Sequence, residues 1–130
     1  MIEIAALLAT ALLFGGMTLY SFGFAPLVFS ALPADVAGKL LRQAFPHYYL
    51  FVLATAALAG LALWPRDTLS SGLMVATALI AIVARQILMP AINSARDTGA
   101  KRRFNGLHGL SVALNMVQLA AVIAVLVRLA

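Results

Sequence analysis

Four stretches of the chain carry no charged side chain: Ile4–Ala34, Gln43–Pro65, Thr68–Ala84 and Phe104–Val127. Each approaches or exceeds the ~20 residues an α-helix needs to cross ~30 Å of hydrocarbon. The third is the shortest, but its apolar pattern resumes after Arg85 and runs on through Gln86–Met89. The pattern predicts four membrane-spanning helices over about 3–30, 47–64, 69–89 and 104–128. They use most of the 130 residues, leaving one membrane domain (1–130) and no room for a soluble one. The expected fold class is an all-α integral membrane protein built as a four-transmembrane-helix bundle.

Prolines and charges punctuate the spans. The first span rises ~40 Å, more than the hydrocarbon thickness, so it must tilt, protrude or bend, and Pro26 offers a bend point. Its middle carries Gly15, Gly16, Thr18, Ser21 and Gly23, small residues that let helix backbones approach closely in lipid. After Leu32–Pro33, residues 34–45 read as a short interfacial amphipathic helix. Asp35 and Lys39 form an i,i+4 pair on its polar side, with Val36, Leu40 and Leu41 on the other. Phe45–Pro46 ends that helix in this reading, Trp64–Pro65–Arg66–Asp67 turns the chain, and Pro90 closes the third span.

The fourth span interrupts its apolar run with His108, Ser111, Asn115 and Gln118. Steps of three, four and three at 3.6 residues per turn place all four on one helical face. Polar groups within lipid need partners, so this face should look into the bundle or a cavity. Asn115 lies ~16 Å into the span, near the midplane, where interhelical hydrogen bonds are the usual solution. Thr18 and Ser21 on the first span lie at comparable depth and are the expected partners. For His108, Gly106 and Gly109 are read as admitting a close neighbour.

Composition agrees: 64% of residues are apolar and 10% charged, with a mean hydropathy of +1.03. Net charge is +5. In a soluble chain that would suggest nucleic acid, but in a membrane chain basic loops set topology and meet anionic lipid. The loops after spans one and three hold six cations, Lys39, Arg42, Arg96, Lys101, Arg102 and Arg103, against Arg66 and Arg128 on the other side. The positive-inside rule therefore places both basic loops in the cytoplasm and both termini outside. Glu3 ahead of a long apolar run is unlike a cleavable signal. Without cysteine, disulfides and thiolate metal sites are excluded.

These residues also carry a resemblance. Gly16–Met17 leading to Phe24 and Phe29, then Ser30–Ala31–Leu32–Pro33 and Phe45–Pro46 with Tyr49, are similar to the first half of transmembrane protein 205 and its bacterial relatives. The run Phe104…His108–Gly109–Leu110–Ser111…Asn115 resembles the closing signature of that family, catalogued as domain of unknown function 4149. The resemblance implies a four-span bundle, here in a bacterial inner membrane, with a biochemical role that is itself unsettled. His47 stands where the vertebrate form has an aromatic residue.

Two functional classes compete for the polar stripe. Thr18, Ser21, His108, Ser111, Asn115 and Gln118 serve as a seam for packing, oligomerisation or partner binding in a non-enzymatic protein. Alternatively His108 ligates haem or a metal, with His47 as a second axial candidate. A cation or solute path lined by Asn115, Gln118 and Thr18 is a further reading. No cofactor is predicted: there are no intramembrane acids, no thiols and no Met-x-x-Met spacing. Arg85, ~24 Å into its span, is expected to snorkel to a lipid phosphate or a backbone carbonyl. No phosphate loop, carboxylate pair or activated nucleophile supports an enzyme. The expected partners are the bilayer, its anionic lipids, and a second copy or another membrane protein.

Overall fold

A segment crossing lipid must satisfy its own backbone hydrogen bonds, and the computed structural model, which describes residues 1–130, does so with four long helices. These are α1 (Ile2–Ala31), α2 (Ala34–Leu63), α3 (Thr68–Asp97) and α4 (Lys101–Leu129). No strand forms. Helices of 29 or 30 residues are ~45 Å long, so each extends beyond the hydrocarbon into the headgroup zones. The connections are short enough to force antiparallel neighbours.

Two boundaries differ from the sequence expectation. Residues 34–45 are not a separate interfacial helix but the opening turns of α2, which runs unbroken through Pro46. Pro90 likewise lies inside α3, which continues to Asp97. Asp35 and Lys39 form no ion pair; the acids that pair are Glu3, Asp67 and Asp97.

The α3–α4 turn is fixed by Gly99, whose φ of +71° is open to glycine at little cost. Ala100 N–H donates to the Ala95 carbonyl at 2.9 Å and Gly99 N–H to that of Arg96 at 3.2 Å. This crossed pair is a Schellman ending, which satisfies carbonyls left free at the helix terminus. At the other end of the molecule Asp67 caps α3, accepting from the Ser70 backbone at 3.2 Å and its hydroxyl at 2.6 Å.

The core sits in the half of the bundle away from the basic turns. Leu13 and Met17 of α1, Val52, Ala56 and Ala59 of α2, Met74 and Ala81 of α3, and Val122 and Val125 of α4 are fully buried there. Small residues bring the backbones together: a Cβ on Gly16 would fall 2.5 Å from the Phe51 ring, and one on Gly60 would fall 3.4 Å from the Met74 Cβ. Ser71 donates to the Gly60 carbonyl at 2.8 Å across the same α2–α3 contact. Ion pairs close this end, Glu3 with Arg66 and Asp67 with Arg128. The opposite, basic end is looser: α4 buries no residue before Gln118.

Candidate functional site

The loose end has a local cause in two prolines. A proline inside a helix has no N–H and its ring crowds the carbonyl four residues back. In α1 the turn Leu19–Phe24 widens to π geometry, and Ala25 N–H reaches back to the Tyr20 carbonyl just before Pro26. In α3 the turn Ala84–Leu88 does the same, with Met89 N–H on the Ala84 carbonyl just before Pro90. Such single-turn widenings recur at functional sites. Both lie toward the basic end. Beyond them the last turns of α1 pack on α2 and make no substantial contact with α4.

Between the parted segments lies a cavity of about 670 Å³, lined by parts of all four helices. That volume falls within the range of small-molecule sites. Along α4 it reaches from Asn115 and Met116 to Phe104, which is ~16 Å or about half the hydrocarbon thickness. Its lateral walls are Phe22 and Phe29 of α1 and Val112 and Met116 of α4, all exposed large apolar side chains.

The inner end of the cavity is a hydrogen-bonded chain across three helices. Tyr48 Oη donates to Asn115 Oδ1 at 2.7 Å, and Asn115 Nδ2 donates to Ser21 Oγ at 2.9 Å. Aromatic rings support it: Tyr20 stacks on Tyr48 with centroids 4.3 Å apart, and Phe45 meets Tyr20 edge-on at 5.4 Å. The expectation of Ser21 as a partner for Asn115 agrees with this geometry. Thr18 is not one; its hydroxyl, like that of Tyr20, is buried without a hydrogen-bond partner. Thr18 sits at the last regular turn before the widening, where three further residues no longer bring the helix back to the same face.

The polar stripe of α4 divides by depth. His108, Ser111 and Asn115 all line the cavity. Gln118 does not; it is buried in the closed half and donates to the Thr77 carbonyl at 2.9 Å. His108 is exposed, its ring parallel to that of Phe104 at 5.8 Å. Gly106 and Gly109 have no neighbouring atom within 4 Å of a built Cβ, so they admit no close helix. His47 is exposed and outside the lining, so the two histidines do not converge.

Of the basic residues, Lys39, Lys101, Arg102 and Arg103 are exposed around the basic end. Arg42 makes a two-pronged pair with Asp97, both contacts 2.8 Å, which ties α2 to α3. Arg96 donates to the Gly38 carbonyl at 3.3 Å and lies over the Phe104 ring, 5.2 Å from its centroid. Arg85 reaches a backbone carbonyl, that of Pro46, at 3.2 Å, one of its two expected contacts. At the closed end, hydrogen bonds from Arg128 and then Ser70 hold the Asp67 carboxyl well below the usual carboxylate range.

Tyr20, Tyr48 and Asn93 belong to the site or its support and were not singled out from the sequence, and Phe45 and Tyr49 were read only as family-like positions. Adjacent Tyr48 and Tyr49 near the middle of a long apolar helix were the available signal, since a phenol in lipid needs a partner. A family model described as Domain of unknown function (DUF4149) matches residues 8–101 of the chain. That stretch covers α1 to α3 and ends before His108. No curated protein and no solved structure matches the chain.

Proposed function

The chain belongs to the DUF4149 family, and from that premise we propose a small non-enzymatic membrane protein that binds a partner molecule from the bilayer in the cavity at its basic end. The observation that carries this reading is the lateral opening. A cavity of about 670 Å³ is walled by exposed apolar side chains of α1 and α4 where the last turns of α1 make no substantial contact with α4, the kind of side a spanning chain turns to lipid. The polar seam then serves two purposes: Gln118 and the Tyr48–Asn115–Ser21 chain hold helices together, and the latter offers hydrogen bonds to a guest. The excess of Lys and Arg at this end supports a cytoplasmic orientation for it, in a bacterial inner membrane, with both termini outside.

The test is native mass spectrometry of the protein released from lipid nanodiscs. One amphiphile per chain is expected to survive activation that strips the surrounding lipids, and Ser111→Trp, which puts an indole into the cavity beside Asn115 and His108, is expected to lose it. Loss of all lipid together from both proteins would refute the reading. So would a dimer mass accompanied by no retained lipid, since a second copy would then cover the cleft. The reading requires no prosthetic group. A visible Soret band in freshly purified protein that vanishes in His108→Ala would replace it with a haem protein.

A further inference from the structure

We propose that the guest is an anionic amphiphile: its negative head group sits against Arg96, and its chain lies between Phe22 and Phe29 of α1 and Val112 and Met116 of α4. This rests on the cavity being a binding site and adds the charge and pose of what it holds.

The argument begins with the cations around the basic end. Arg42 lines the cavity, but both of its terminal nitrogens are engaged by Asp97 at 2.8 Å. Arg85 is not in the lining and is committed to Pro46 and Gln86. Arg96 is left as the cavity cation without a carboxylate. A guanidinium carries five N–H donors, and the hydrogen bond of Arg96 to Gly38 at 3.3 Å engages one of them. No Asp or Glu lines the cavity at all. A cationic head would meet the guanidinium of Arg96 with no carboxylate bonded to it, and a zwitterionic one would gain less than an anion.

Arg96 is also held in place. A Cβ on Gly38 would fall 2.8 Å from Arg96 Nη1, so the guanidinium rests in space that only glycine leaves open. The Phe104 face supports its other side. Asn93, one turn earlier on α3, lines the same cavity and adds an amide donor. Arg96 is exposed, and these contacts hold its guanidinium at the cavity.

The guest's apolar part follows from the walls. The cavity is about one leaflet deep and opens sideways, so a molecule already in that leaflet can enter with its chain in hydrocarbon throughout. A free anion would leave the Phe22, Phe29, Val112 and Met116 walls unfilled. Phosphate-ester and carboxylate heads share the recognised chemistry, and the experiment separates them.

Protein in nanodiscs of equal phosphatidylglycerol and phosphatidylcholine is released into a native mass spectrometer, and the tightly retained lipid is identified. The expected result is a preference for phosphatidylglycerol of up to about fivefold, because both lipids offer Arg96 a phosphodiester and only phosphatidylcholine brings a cation to a site lined by cations. Arg96→Gln is expected to retain lipid without preference. Gly38→Ala, which keeps every charge but displaces the guanidinium, is expected to lower the preference severalfold. Neutralising Lys101, Arg102 and Arg103 together should leave it unchanged. Oleate added as a competitor displaces the lipid if a carboxylate serves as well as a phosphate ester.

Retained lipid with no head-group preference in the wild type would overturn the inference while leaving the binding cavity standing. A preference unchanged in both Arg96→Gln and Gly38→Ala, or lost only with the Lys101–Arg103 cluster, would overturn it too. Absence of any retained lipid would overturn both readings.

Discussion

Replacing Asn115 by leucine separates Asn115 from Gln118 of α4 by their hydrogen bonds, not their burial. Asn115 makes two interhelical hydrogen bonds, from Tyr48 at 2.7 Å and to Ser21 at 2.9 Å. Interhelical hydrogen bonds in membranes average ~0.6 kcal/mol and reach ~1.7, so Asn115→Leu should destabilise by about 1–3 kcal/mol. Gln118 is the more deeply buried, yet it gives one bond, to the Thr77 carbonyl. That carbonyl already accepts from the residue four places on in its own regular helix, so Gln118→Leu leaves no orphan behind. Its expected cost is about 0.6 kcal/mol or less. Unfolding with sodium dodecyl sulfate from mixed micelles measures both. A cycle with Tyr48→Phe should show a coupling to Asn115 of about 0.5–1 kcal/mol. If Gln118→Leu proves the more damaging, or the Tyr48–Asn115 coupling is indistinguishable from zero, the three-helix chain is not what holds this level of the bundle.

Gly16→Ala should destabilise by about 1 kcal/mol as the Phe51 ring is pushed aside, whereas Gly15→Ala, with nothing within 4 Å of its Cβ, should be neutral or slightly stabilising; the same titration reads both. Because the Asp67 carboxyl is held low by Arg128 and Ser70, its contribution to stability should be complete above about pH 4, its unfolded value, and decline as pH falls toward the folded one. Unfolding midpoints at pH 7 and pH 3 should therefore differ more in the wild type than in Asp67→Asn. The chain has no cysteine, so single cysteines report topology cleanly. With an impermeant maleimide added outside intact cells, Pro65→Cys should label and Thr98→Cys should not; the reverse would invert the orientation.

The four spans were legible because charged residues bracket them, and the α4 stripe was legible because its spacing keeps one helical phase. Pro46 and Pro90 misled for a reason specific to the solvent. In water a helix stops at proline because the freed carbonyl finds water. In lipid it finds none, and continuing the helix with a local adjustment is the better solution. At Pro90 that adjustment is the widened turn Ala84–Leu88. The same change at Leu19–Phe24 explains why Ser21 but not Thr18 meets Asn115. Tyr48 was missed because the rotation of α2 about its axis depends on its packing against Gly16 of α1 and, through Gly60, against Met74 of α3, which a single-helix pattern does not carry. Arg42 read as a free topology charge, yet it pairs with an acid 55 residues away.

An open cavity next to a tight core would be unstable in water, where hydrophobic collapse would close it. In a bilayer that drive is absent, since lipid chains are as apolar as the side chains that would replace them. What shuts the far half of the bundle must therefore be specific: the Gly16 and Gly60 approaches, Gln118 on Thr77, and the Asp67–Arg128 and Glu3–Arg66 pairs. At the basic end specific ties exist as well, but they join α2 to α3 through Arg42–Asp97 and Arg96–Gly38. None of those ties joins the last turns of α1 to α4 at this end, beyond the widened turns ahead of Pro26 and Pro90. The cleft is thus open on the side where neither packing nor charge closes it, and lipid is the medium that allows it to stay so.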